Sequence, residues 1–220
     1  GSGNWSVSQV ITLTGVDDNV SDDNQSTLLT LSLSSSDGKY DNSSLSAQTV
    51  TVTTSDNDTV DVLISESSLS VGEDGTSDTF TVRLNSEPTS TVLVSMDLNG
   101  SDELSVSDNL SFSLDNWSLF QTVTVTGLDD NVSDDNQTSV LSVLSSSSDS
   151  KYNGLSDNLS VVTADNDTVG LILSRSSASV SENGTFSDNF SVVLQSEPTA
   201  DVTLSVTDND TSEVSYSPLS

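Results

Sequence analysis

Asparagine followed two residues later by serine or threonine is the acceptor triplet for N-linked glycan, a bulky, solubilising group confined to exposed surface. The 220-residue chain has 17 asparagines, and 15 of them begin such a triplet with no proline in the middle. They are Asn4, Asn19, Asn24, Asn42, Asn57, Asn99, Asn109, Asn116, Asn131, Asn136, Asn158, Asn166, Asn183, Asn189 and Asn209. Only Asn85 and Asn153 fall outside the pattern. Ser and Thr together number 75, so random placement would give roughly 6 triplets. The excess predicts covalent N-linked glycan on many of these sites. A Ser-rich chain with Asn in its turns is the blander alternative.

The second chemistry lies in the acids. Asp outnumbers Glu 27 to 7. Short acids in loops suit cation ligation or Asx-turns better than general solvation. Carboxylates converging to about 4–5 Å repel by roughly 3–4 kcal/mol per pair at an effective dielectric near 20. Such a cluster either binds a cation or raises some of its pKa values. A surface adapted to high salt is a third reading of the same acids.

Composition removes other functions. The formal charge is -30, against which stand only Lys39, Arg83, Lys151 and Arg175. That excludes a nucleic-acid surface, which needs clustered Lys and Arg, and argues against binding anionic lipid. With no His, a Ser-His-Asp triad is impossible and the commonest transition-metal ligand is missing. With no Cys there is neither disulfide nor thiolate chemistry. A paired-carboxylate glycosidase remains open on composition, but the acids recur in every repeat and distinguish no single site. The chain is expected not to be an enzyme. No stretch approaches the ~20 apolar residues of a membrane span, so membrane insertion is not expected. No signal peptide is visible, so a secreted chain of this kind is expected to be an internal piece of a longer precursor.

The elements that position these groups are strands. Gln121–Thr126 alternates, with Val123 and Val125 on one face. Phe80, Val82 and Leu84 alternate with Thr81 and Arg83, and Val202, Leu204 and Val206 follow the same rhythm. Period-2 runs between Asp/Asn/Gly/Ser turns predict half-buried antiparallel strands. No segment carries a 3.6-residue apolar period. Trp5 and Trp117 each precede a strand and are expected to anchor the end of its core.

The chain also repeats. NWSVSQVITLTGVDDNVSDDNQ at residues 4–25 returns as NWSLFQTVTVTGLDDNVSDDNQ at 116–137, an offset of 112. DNDT at Asp56 recurs at Asp165, Glu73 matches Glu182, and SEPT at Ser86 recurs at Ser196. The period is about 110 residues, enough for roughly seven short strands and a β-sandwich. One complete unit is expected at 59–168. Residues 1–58 read as the C-terminal half of a preceding unit, and 169–220 as the N-terminal half of the next.

The motif order is VGEDGT, then FTVRLNSEPTSTVLVS, NWSLFQTVTVTGLDDNVSDDNQ, YNGL and DNDT. It resembles the Calx-β domain, in the form found as tandem repeats of large extracellular proteins. The resemblance covers nearly the whole chain. It implies tandem all-β, Ig-like sandwiches of about seven strands, joined by very short linkers. Some members of that family bind Ca²⁺ at one end of the sandwich. Carried over by position, the implied metal ligands are Glu73, Asp129, Asp130, Asp134, Asp165 and Asp167 in the complete unit. In the preceding half they are Asp17, Asp18, Asp22, Asp56 and Asp58, and in the following half Glu182. Asn131 and Asn166 stand where calcium-binding members have Asp. A further loop acid has Asp102 as its nearest candidate.

Together these readings predict a structural repeat of a heavily N-glycosylated extracellular or cell-surface filament, stalk or sheath. Its partners would be neighbouring repeats or subunits of the same protein, with any surface ligand held outside this stretch. The alternative is a calcium-dependent cell-surface adhesin repeat.

Overall fold

The computed structural model describes residues 3–41, 45–210 and 212–217. Asn42 lies outside the described residues. All regular structure among them is β, and no helix is long and apolar enough to cross a membrane.

Residues 62–164 form a two-layer sandwich. Its strands are β3 (Val62–Ile64), β4 (Ser68–Gly72), β5 (Ser77–Leu84), β6 (Val92–Asp97), β7 (Leu104–Val106), β8 (Leu110–Phe112), β9 (Gln121–Gly127), β10 (Gln137–Ser147) and β11 (Ser156–Ala164). One sheet runs β4-β11-β10-β6-β8 and the other β3-β5-β9-β7. Nine strands are seen where about seven were expected, because two runs change sheet partway. β3 and β4 are one run broken after Ile64, and β7 and β8 are another broken after Val106. Counted as runs they are seven. Every pairing is antiparallel except β4 with β11.

The alternation dictates the core. Phe80, Val82 and Leu84 of β5 and Val123 and Val125 of β9 point inward from one sheet. Val92, Val94, Phe112, Leu141, Val143, Leu159 and Val161 meet them from the other. Trp117 closes one end, half-buried against this core, and its carbonyl accepts the Leu84 N–H at 2.9 Å. Tyr152 is buried in the β10–β11 connection. Its hydroxyl accepts the Ser86 N–H at 2.9 Å and donates to the Ser86 carbonyl at 2.7 Å. That fixes the turn carrying Glu87.

The flanking residues form two hairpins. β1 (Gln25–Leu31) pairs with β2 (Gln48–Thr54), and β12 (Leu171–Leu173) pairs with β13 (Val192–Leu194). The predicted strand at Val202–Val206 does not form. Its counterpart in the sandwich, β6, is held between β10 and β8, and residues 202–206 have no such ladder. Trp5 is 84% exposed for the same reason: the sheet that covers Trp117 has no equivalent beside it.

Candidate functional site

The acids converge where β4 and β9 end side by side. A β-carbon on Gly127 would collide with the Gly72 carbonyl, so only glycine permits this approach. Immediately beyond, the chain places Glu73 on one side and the acidic loop 128–136 on the other. The Glu73 N–H donates to the Ala164 carbonyl at 3.1 Å, which ties it to the start of the DNDT segment.

Glu73, Asp165 and Asp167 bring one carboxylate oxygen each within 4.8 Å of one another. Among the described residues this is the one such group of three acids. Glu73 is 1% exposed, and its carboxylate accepts the Asn166 N–H at 3.3 Å. Asp165 accepts the N–H groups of Asp167 at 2.7 Å and Asp135 at 2.9 Å. Asp167 Oδ2 is buried with no hydrogen-bond donor. Asp129 accepts the Asn166 amide at 3.0 Å, and Asp130 accepts the Val132 N–H at 2.7 Å in an Asx-turn. Asp135 sits at φ 65°, the left-handed region that Asp tolerates.

Burial, then the charges of Asp165, Asp130 and Asp134, push the Glu73 carboxyl above its ordinary range. Asp167 is raised by burial and by Asp165, Asp129 and Asp130. Glu103 is raised by burial, then by Asp134, Glu73, Asp102 and Asp130. By sequence Asp102 is the nearest loop acid. The structure leaves Asp102 exposed and turns the half-buried Glu103 toward the cluster's field. No local signal in the sequence distinguishes Glu103 from Asp102 here.

The sign of the pH dependence follows. An acid whose folded pKa is raised stabilises the fold below its unfolded pKa, and that stabilisation is lost as pH rises through the folded pKa. Without a divalent cation, the melting temperature is therefore expected to rise as pH falls from neutral toward about 4.5, the ordinary value for Glu. Asp56 and Asp149 are lowered instead, by backbone N–H donors. Their stabilisation is lost only below about 3.8, outside this window. Thermal melts of Glu73→Gln and the parent across pH 4.5–7.5 check the origin: the variant should lose much of the rise. An equal slope in both would assign the effect to the net charge alone.

The preceding half repeats the backbone bonds of this loop. Asp56 accepts the N–H groups of Asp58 at 2.9 Å and Asp23 at 2.8 Å, and Asp18 accepts the Val20 N–H at 3.0 Å. Burial and the charges of Asp56, Asp17, Asp18 and Asp22 raise Asp58. No third acid joins Asp56 and Asp58 among the described residues, and Glu182 stands exposed in the following half. Of the implied ligands the structure thus draws together three, Glu73, Asp165 and Asp167, while Asp129, Asp130 and Asp134 are exposed outside that group.

Both acidic loops also touch the next unit. The Asn19 carbonyl accepts the Glu87 N–H at 2.7 Å, and the Asn131 carbonyl accepts the Glu197 N–H at 2.6 Å. Lys151 reaches back to Asp23 at 3.1 Å, an exposed pair that adds little.

Of the sequon asparagines described, all are exposed except Asn116, which is half-buried. Its Oδ1 accepts the Ser113 N–H at 2.6 Å and its Nδ2, the atom a glycan would occupy, donates to the Ser111 carbonyl at 3.1 Å. Asn99 and Asn166 also use Nδ2 as a donor, but from exposed positions. Site-resolved glycopeptide mass spectrometry should find Asn116 the least occupied sequon of residues 59–168, with Asn109, Asn136 and Asn158 among the fullest.

No protein-family model matches the chain, and no curated protein matches it. Among solved structures, the periplasmic chaperone SfaE aligns over 48% of this chain and 58% of its own, at 10% identity and a TM-score of 0.39. The E. coli chaperone DraB aligns over 47% and 54%, at 9% identity and a TM-score of 0.37. WR4, a C. elegans MSP family member, aligns over 47% of this chain and 96% of its own, at 7% identity and a TM-score of 0.34. The match spans less than two thirds of either chaperone. Likenesses this distant carry no functional argument, and the all-β sandwich stands on the strand pairing of the chain itself.

Proposed function

We propose that this chain is a structural repeat of a heavily N-glycosylated extracellular filament, stalk or sheath, built from Calx-β-like units set end to end. The observation that supports it best comes from the complete sandwich, where burial discriminates. Six of its seven sequon asparagines are exposed: Asn99, Asn109, Asn131, Asn136, Asn158 and Asn166. They lie on several different loops and strand edges, so glycan at these positions would sheathe the unit rather than mark one spot. With a net charge of -30, such a surface stays hydrated and discourages foreign strands from pairing with sheet edges. Asn19 and Asn131 stand at the junctions, where the backbone holds the next unit and the side chain faces outward.

Intact-mass and glycopeptide mass spectrometry of the native material tests this reading. Sugar on most sequons, on a chain or assembly many units long, supports it. Bare asparagines overturn it.

The second reading, a calcium-dependent adhesin repeat, is favoured by one observation. The Glu73, Asp165 and Asp167 cluster offers only hard oxygen donors, includes an orphaned buried oxygen, and feels mainly negative charge. Those residues fit Ca²⁺, with Asp129, Asp130 and Asp134 close by. A bound cation would supply the missing counter-charge and stiffen the end of the unit. At calcium tenfold above the site's Kd the gain is about 1.4 kcal/mol, or on the order of 5 °C in Tm. Melts with calcium and with chelator, on the parent and Glu73→Gln, measure it. A calcium shift present only in the parent places the ion, and binding of the isolated chain to sugars or cell surfaces would then favour adhesion over a spacer role.

A further inference from the structure

An asparagine side chain followed by glycine can close on the next backbone nitrogen, because glycine has no Cβ to shield that atom. Three such pairs occur in the chain: Asn99–Gly100, Asn153–Gly154 and Asn183–Gly184. All six residues are exposed. The three glycines share the left-handed backbone, at φ 82°, 83° and 70°. Exposure and turn shape therefore do not separate the pairs.

The glycine nitrogens do. The Gly154 N–H donates to the Ser145 carbonyl at 3.0 Å, and the Gly184 N–H to the Ser181 carbonyl at 3.0 Å. Gly75, which follows Asp74, is held in the same way by the Gly72 carbonyl at 3.2 Å. The Gly100 N–H has no hydrogen-bond partner among the described residues. Its neighbours on both sides are tied: the Asn99 N–H donates to Asp97 Oδ1 at 2.8 Å, and the Ser101 N–H to the Leu98 carbonyl at 3.1 Å. An N–H committed to a carbonyl must break that bond before its nitrogen can lose the proton and attack.

We propose that Asn99–Gly100 is a self-modifying site of this chain, and that sugar on Asn99 is what closes it. The step needs only water. The Gly100 nitrogen gives its proton to solvent and bonds to Asn99 Cγ. The Cγ–Nδ2 bond breaks, and Nδ2 leaves as ammonia after taking up a proton. One water then opens the cyclic imide and returns a proton to the Gly100 nitrogen. Opening at the side-chain carbonyl gives aspartate, and opening at the main-chain carbonyl gives isoaspartate. Nothing is oxidised or reduced. The reacting atoms belong to adjacent residues, so no encounter has to be arranged.

Asn99 also begins an acceptor triplet with Gly100 and Ser101. Sugar attaches at Nδ2, the atom that must depart, and its bulk crowds Cγ. Asn153 begins no triplet, and its bonded glycine protects it instead. Asn99 Nδ2 donates to the Val140 carbonyl at 2.8 Å and to Ser142 Oγ at 3.1 Å, which pins the β6–β7 turn to β10. Either product replaces that amide with a carboxylate, which only accepts, so the tie to the Val140 carbonyl is lost.

The test incubates the glycan-free full chain warm in mildly alkaline buffer, beside the native glycosylated chain, and follows each asparagine by peptide mapping that resolves isoaspartate. In the glycan-free chain, Asn99 should convert about ten times faster than Asn153 or Asn183, the factor for one hydrogen bond that must first open. Sugar-bearing Asn99 should stay intact. Conversion at Asn99 no faster than at Asn153 overturns the site. Conversion of sugar-bearing Asn99 at the bare rate, or a native Asn99 without sugar, overturns the protection. The protection rests on the glycan reading, but the two fail separately. A bare Asn99 among sugared sequons leaves the filament reading standing, whereas bare asparagines throughout defeat that reading and leave the reactivity of the glycan-free chain untouched.

Discussion

Phe80→Ala should destabilise the sandwich by about 3–5 kcal/mol, while Phe190→Ala in dilute solution should cost less than about 1 kcal/mol. The two residues occupy the same place in the repeat. Phe80 is sealed between β5 and the opposite sheet, so truncation leaves a cavity among Val123, Val82 and Phe112. Phe190 is half in water, and its removal leaves no cavity. Denaturant unfolding followed by Trp117 fluorescence measures the difference, with Trp5 replaced to remove its exposed signal. Single domains are stable by only about 5–15 kcal/mol, so Phe80→Ala should shift the midpoint severely.

Gly127→Ala should cost about 2–3 kcal/mol and should also disable the acidic cluster. The new methyl has no room against the Gly72 carbonyl, and both sides of that contact are backbone. Something must yield, and the end of β4 is the freer element. Glu73 follows Gly72 directly, so it moves away from Asp165 and Asp167. The expected result is lower stability together with loss of the acid-side rise in Tm. Gly38→Ala, where a β-carbon meets nothing within 4 Å, should change neither. If Gly127→Ala melts like the parent, the close approach of β4 and β9 does not govern the site.

Much of the sandwich was legible in the sequence because period-2 alternation and repetition are both local signals. The alternation at Gln121–Thr126 and Phe80–Leu84 falls within the observed strands Gln121–Gly127 and Ser77–Leu84. Residues 202–206 carry the same pattern and formed no strand, because a ladder needs a partner and periodicity says nothing about one. Trp117 and Trp5 share a motif but not an environment, for the same reason. The site was less legible. Glu73 lies about ninety positions from Asp165 and Asp167, and only topology brings them together. Glu103 was hidden beside Asp102, since nothing local says which of two adjacent loop acids comes into the field of a cluster built from distant segments. The sheet switches after Ile64 and Val106 left no compositional mark at all.

The junction contacts have a directional consequence. Each pairs an acidic loop on one unit with the Ser-Glu-Pro-Thr turn of the next, through Asn19 with Glu87 and Asn131 with Glu197. The two ends of a unit are therefore unlike surfaces, and any row of them is vectorial, with every unit pointing the same way. One terminus of the row presents carboxylates and the other presents the turn steadied by Tyr152. In the proposed filament, growth and anchoring at the two termini would then be different reactions, and a row laid down from a fixed point would carry a compass bearing along its whole length.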